Sequence, residues 1–162
     1  VKVFETETAC RDGAVEIDMV INIGKALQED WSYIEEEIKA VVDTSHKFGA
    51  ITKVIFETDF VTSDEHKIKL CEICSKVGAD YVKTSTGFGF VKGSDGKYSY
   101  AGATAHDIIL MRKHSAPHVK VKAAGGVRTL AELLKLKELG ISRCGATATV
   151  SMLDDAKKLF GV

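Results

Sequence analysis

The sequence has one proline, one tryptophan and four cysteines in 162 residues, and its charges nearly cancel. Scarce proline beside 45% apolar residues excludes a disordered, low-complexity chain and implies a packed domain. A net charge of −1, with 28% charged residues, excludes the strongly basic surface that nucleic-acid binding needs. No apolar run approaches the ~20 residues of a bilayer span, so no membrane partner is expected. The opening residues Val1-Lys2-Val3-Phe4-Glu5-Thr6-Glu7 carry acids and lack the apolar stretch of a signal peptide. They also lack an initiator Met, so a processed chain, a cut chain or a fragment is expected.

Cys10, Cys71, Cys74 and Cys144 show no disulfide-scaffold rhythm, which suggests a reducing cytoplasm. Cys71-Glu72-Ile73-Cys74 matches a dithiol spacing. It falls in mid-helix, however, where no helix start lowers a thiol pKa. Small buried residues are the plainer reading.

What is present is an alternation of short β-rich runs and helical stretches. Strands are expected at 16–22, 52–58, 80–85, 118–123 and 142–146. Helices are expected near 2–12, 30–47, 64–77, 104–115, 129–138 and 151–160. Asp30, Ser63 and Thr129 stand where helix caps belong, and Gly13, Gly49, Gly78 and Gly140 stand where helices end. Alternating β and α elements imply a parallel sheet. Length favours an open five-stranded sheet over a (β/α)₈ barrel. The strand faces favour the barrel. Glu16 and Asp18, then Lys53 and Glu57, then Lys83, then Lys120 and Lys122, fall on one face of successive strands. Ile17, Met19, Val54, Phe56, Val82, Val119 and Val121 fall on the other. A doubly wound sheet should be apolar on both faces. A lumen leading into an active site explains one charged face; a half-exposed sheet is the competing explanation.

Lys83 stands within a strand, and Lys122 occupies the equivalent point of the next. Desolvation and a second cation both favour a neutral, nucleophilic amine, and Asp18 can pair with whichever lysine keeps its proton. The same three residues also suit a structural ion pair, and spacing alone does not choose. Gly125-Gly126 and Gly145 open turns that lead into helices, the usual phosphate site after the last strands of a barrel. His46, His66, His106, His114 and His118 show no metal-ligand spacing, so no metal and no cofactor is expected.

Four segments carry a family resemblance: EIDMVIN at 16–22, KVIFET at 53–58, YVKTSTGF at 81–88 and VKAAGGVRT at 121–129. Together, and in this order, they resemble deoxyribose-phosphate aldolase. The resemblance implies a parallel (β/α)₈ TIM barrel, with residues 1–162 a single partial domain of about five βα units, N-terminally truncated. It implies a class I aldolase that cleaves 2-deoxy-D-ribose 5-phosphate to D-glyceraldehyde 3-phosphate and acetaldehyde. Lys83 would form the imine, Lys122 would tune its protonation, and Asp18 would share in proton transfer. Gly87, Gly125, Gly126, Gly145 and Thr147 would lie along the substrate phosphate, and a homo-oligomer would be compatible. Thr147-Ala148 departs from the Ser-Ser pair common in such families. Residues 89–102 form a longer loop than usual, either a lid or a surface loop. Two other readings stay open: a non-catalytic sugar-phosphate binding or assembly subunit, and another barrel Schiff-base lyase.

Overall fold

Five parallel strands in the order β1-β2-β3-β6-β7 form one curled sheet. They are β1 (Glu16–Val20), β2 (Ile51–Ile55), β3 (Tyr81–Lys83), β6 (Lys120–Ala124) and β7 (Arg143–Gly145). The computed structural model describes residues 1–161. The sheet is part of a TIM-barrel wall, as the strand faces imply. Helices α1 (Lys2–Arg11), α3 (Trp31–Lys47), α4 (Asp64–Val77), α5 (Ala105–His114), α6 (Leu130–Glu138) and α7 (Thr149–Phe160) alternate with the strands. The expected caps are in place: Asp30 accepts from the Tyr33 amide and Ser63 from the His66 amide. Thr129 and Glu132 form a reciprocal capping box. Gly78 ends α4 in the left-handed conformation.

The apolar strand face packs on the helices. Val54, Phe56, Val82, Val119, Val121, Ile34, Ile38, Leu70, Ile108 and Met111 are all within 1% of fully buried. Each contributes about 1.5–3 kcal/mol by leaving water. Cys71 and Cys74 belong to this core, and burial pushes the Cys71 thiol up to about 11. That is the opposite of a redox dithiol.

Several elements depart from expectation. The strand expected at 80–85 stops at Lys83, and the one at 52–58 stops at Ile55, because the residues that follow turn toward each other. A short helix, α2 (Ile23–Leu27), follows β1; five residues are too few to show a period. Residues 89–102 contain an antiparallel hairpin, β4 (Val91–Lys92) with β5 (Tyr98–Ser99).

The open set of five strands does not leave its inward lysines in water. The side chains of Lys53, Lys83 and Lys122 are only 3%, 12% and 17% exposed. The twist of the sheet rolls it into a trough. Glu16 on β1 thereby meets Arg143 on β7, the other edge strand, in an ion pair across the trough. The Arg143 guanidinium also lies 5.0 Å from the Tyr81 ring centre, which fills the floor between them.

Candidate active site

Register sets the charged groups. Asp18 pairs with Lys53, and Lys53 with Tyr81, along one row of the sheet. Lys83 pairs with Lys122, and Lys122 with Arg143, along the next. Curling brings the rows together. Asp18 Oδ1 lies 3.0 Å from Lys83 Nζ and 3.6 Å from Lys122 Nζ, while its Oδ2 is 3.2 Å from Lys53 Nζ. Lys53 is also 2.8 Å from Glu16. One half-exposed carboxylate thus faces three ammonium groups. Burial pushes the Asp18 carboxyl up, but Lys83, Lys122 and Lys53 together outweigh it and hold it below the usual range. Burial, then the charge of Lys83, drive Lys122 below the ordinary lysine value, against the pull of Asp18.

Lys83 and Lys122 lie at the inner end of an open cleft of about 380 Å³. Its walls include Gly87, Gly125, Gly126, Gly145 and Thr147, so the structure brings together every glycine and the threonine expected at the phosphate. Asp18 reaches the lysines from the opposite side of the trough. The backbone turns stack closely. Gly102 has φ +67°, and a Cβ there would lie 2.5 Å from the Gly125 carbonyl carbon. Thr84 pins this end of the sheet: its hydroxyl donates to the Ala124 carbonyl at 3.0 Å and accepts from the Ala124 amide at 3.1 Å.

Sequence reasoning gave no individual role to several residues found here, although two of them belong to the 89–102 loop read as a lid or a surface loop. Phe88, Phe90, Tyr100 and Arg128 also line the cleft. Phe90 and Tyr100 meet edge to face at 5.1 Å. Arg128 stands two residues after the Gly125-Gly126 turn, a signal that could have drawn attention to it. Among the described residues, one group could be mistaken for a metal centre, Asp64, His106 and Asp107. The Lys67 ammonium already sits between its carboxylates, 2.6 Å from Asp107 and 3.1 Å from Asp64.

A family model of DeoC/LacD aldolases matches residues 1–154. The chain belongs to this family. It is 48% identical over 162 residues to the deoxyribose-phosphate aldolase of Rhodopirellula baltica, covering 100% of this chain and 63% of that protein. It is 46% identical over 156 residues to the enzyme of the same name from Thermococcus kodakarensis, covering 96% of this chain and 65% of that protein. The chain therefore spans just under two thirds of the curated relatives it matches. Among solved structures, the tetrameric deoxyribose phosphate aldolase of Aeropyrum pernix superposes with a TM-score of 0.80 at 26% identity. That match covers 98% of this chain and 62% of the other. In this DeoC/LacD chain, the strands that carry Lys83 and Lys122 and the glycine turns beyond them lie within the matched residues. Among the described residues, no helix is long and apolar enough to cross a membrane.

Proposed function

We propose that the protein is a class I aldolase that cleaves 2-deoxy-D-ribose 5-phosphate, with residues 1–162 forming about five βα units of a single barrel domain. The observation that carries this reading is Asp18 facing Lys83 and Lys122 at the base of a glycine-walled cleft. The neutral Lys83 amine adds to the C1 aldehyde of the open-chain sugar, and loss of water leaves an iminium. A base removes the C3 hydroxyl proton. The C2–C3 bond breaks, its electrons pass into an enamine, and C3 leaves as the aldehyde of D-glyceraldehyde 3-phosphate. The enamine takes a proton at C2, and water releases acetaldehyde and restores the amine.

Lys122 and Asp18 are the groups placed to carry those protons. A lysine held below its usual pKa gives up a proton more readily than an exposed one, and Asp18 orients it. The phosphate is held by amides of the Gly125-Gly126 and Gly145 turns and by Gly87, with the Thr147 hydroxyl and Arg128 at the rim.

The test is covalent trapping. Incubation with acetaldehyde and borohydride, followed by peptide mass spectrometry, is expected to place the reduced adduct on Lys83. An adduct confined to Lys122 or Lys53 would overturn the assignment of the nucleophile. No adduct at all would overturn the imine mechanism.

A further inference from the structure

Two carboxylates on the turn after β2, Glu57 and Asp59, take no part in the steps above. Glu57 is 4% exposed and has φ +55°. Burying a carboxylate and holding a non-glycine residue in the left-handed region are each unfavourable, and such features persist only where surroundings enforce them.

The contacts explain the enforcement. Ser85 Oγ donates to Glu57 Oε1 at 2.7 Å, and the Thr86 amide donates to the same oxygen at 3.1 Å. Thr86 Oγ1 donates to Glu57 Oε2 at 2.6 Å. These hydroxyls in turn accept from the next amides, Ser85 from Gly87 at 2.9 Å and Thr86 from Phe88 at 3.0 Å. One carboxylate thus sets the whole turn that follows the Lys83 strand. It also packs on the first root of the 89–102 hairpin, where a Cβ on Gly89 would lie 2.8 Å from the Glu57 carboxyl carbon. Asp59 holds the second root: it accepts from the amides of Ala101 and Gly102. Between them, the Thr58 hydroxyl reaches the Gly102 carbonyl at 3.4 Å. Three consecutive residues therefore grip both ends of the hairpin whose Phe90 and Tyr100 form one side of the cleft.

We propose that Glu57 and Asp59 are positioning residues, a clasp that fixes the 85–88 turn and the 89–102 hairpin against the Gly125 turn and so sets selectivity for a phosphorylated sugar. The proposal rests on the reading of the cleft as the substrate phosphate site. Charge-assisted hydrogen bonds suit this task because they hold amides and hydroxyls in one geometry. A small displacement of a positioning wall is enough to cost on the order of a hundredfold in rate.

The experiment compares kcat/KM for deoxyribose 5-phosphate with that for deoxyribose, in the intact protein and in its Glu57→Gln and Asp59→Asn variants. Each variant is expected to lower the ratio by about tenfold or more, mainly through KM for the phosphorylated sugar. Trypsin supplies a readout independent of activity. Cleavage at the exposed Lys92 and Lys97 of the hairpin should quicken in both variants, because loosened roots let the segment open locally. Equal losses on both sugars, or an unchanged ratio, would overturn the clasp while leaving the aldolase reading intact. An intact protein without any preference for the phosphorylated sugar would overturn the phosphate reading and the clasp with it; trapping at Lys83 reports separately on the aldolase. Should Glu57→Gln fail to fold, Asp59→Asn, at a less buried position, decides alone.

Discussion

Lys83 and Lys122 stand opposite each other in register on neighbouring parallel strands, and both ammonium groups face the same oxygen of Asp18. Two like charges share one partner. Packing would be easier with an apolar side chain in place of one of them, so the pair is maintained at a cost to the fold.

The first prediction follows from that cost. Burial and the charge of Lys83 disfavour the Lys122 ammonium, and Lys122→Met removes both penalties. Asp18 keeps Lys83 at 3.0 Å and Lys53 at 3.2 Å as partners. The variant is expected to melt about 2–4 °C higher, the shift that ~1 kcal/mol gives in a domain of this size. Its kcat should fall by about 10²–10⁴, the worth of a positioned proton-transfer group. Calorimetry and aldolase kinetics on one sample check both. A variant that is less stable, or as active as the parent, would contradict the argument.

Acid should weaken the trough before it weakens the core. The hydrogen bonds of Arg143, then Lys53, hold Glu16 down from 4.5 to about 2. Asp18 is held below its ordinary 3.8, its lysines overcoming burial. A carboxyl with a depressed folded pKa lends stability that is present above its unfolded pKa and lost as pH falls through the folded one. Urea midpoints should therefore decline from about pH 5 toward pH 2, and Glu16→Gln should flatten that decline. Lys67 works the other way. Burial lowers it, but Asp107 and Asp64 raise it overall. Its contribution is complete below about 10.5 and is lost at higher pH. A Glu16→Gln variant with the full acid slope would refute the account.

Glycines of like backbone should differ in what they tolerate. Gly49 and Gly102 have φ +73° and +67°, but a Cβ at Gly49 would meet nothing within 4 Å. At Gly102 it would lie 2.5 Å from Gly125 backbone atoms. Gly49→Ala should cost about 1–2 kcal/mol, the left-handed penalty alone. Gly102→Ala should cost clearly more and raise KM, because the Gly125 turn must move. Chemical denaturation of both variants, with equal losses as the refuting outcome, decides it.

The fold was largely legible in the sequence because its signals are local. The two-residue alternation at 16–22 and 118–123 separated lumen from core, and Ser63 and Thr129 marked helix starts that the structure retains. The lysines and the glycine turns were legible for the same reason, since strand register carries each to a fixed place. Lys53 was placed on the inward face but given no partner; its contacts with Glu16 and Asp18 depend on how strongly the sheet curls. Glu57 and Asp59 lie beyond the end of β2, where no period operates, and their partners are 28 to 43 residues away. The hairpin strands are two residues each, below what alternation can reveal.

The last prediction concerns residues 1–162 expressed by themselves. In the sheet, β1 pairs only with β2 and β7 only with β6, so each has one unpaired side. Large exposed apolar side chains gather beside these two edges. Phe4, on the helix before β1, and Val15, just ahead of that strand, are 72% and 71% exposed; Val150, Leu159 and Phe160, on the helix after β7, are 76%, 62% and 59% exposed. An unpaired edge flanked by wet apolar groups is a template for another chain. The Glu16–Arg143 pair draws the edges toward each other, yet it satisfies no backbone amide. The isolated segment is therefore expected to elute as a concentration-dependent oligomer in size-exclusion chromatography and to show little aldolase activity. Val15→Lys and Val150→Lys should shift it toward monomer, because a charge just before β1 and another on α7 oppose apolar association beside the two open edges. A monomer that melts cooperatively and cleaves deoxyribose 5-phosphate at an ordinary enzymatic rate would mean that five strands suffice, with the ion pair across the trough doing the work of the rest of the wall.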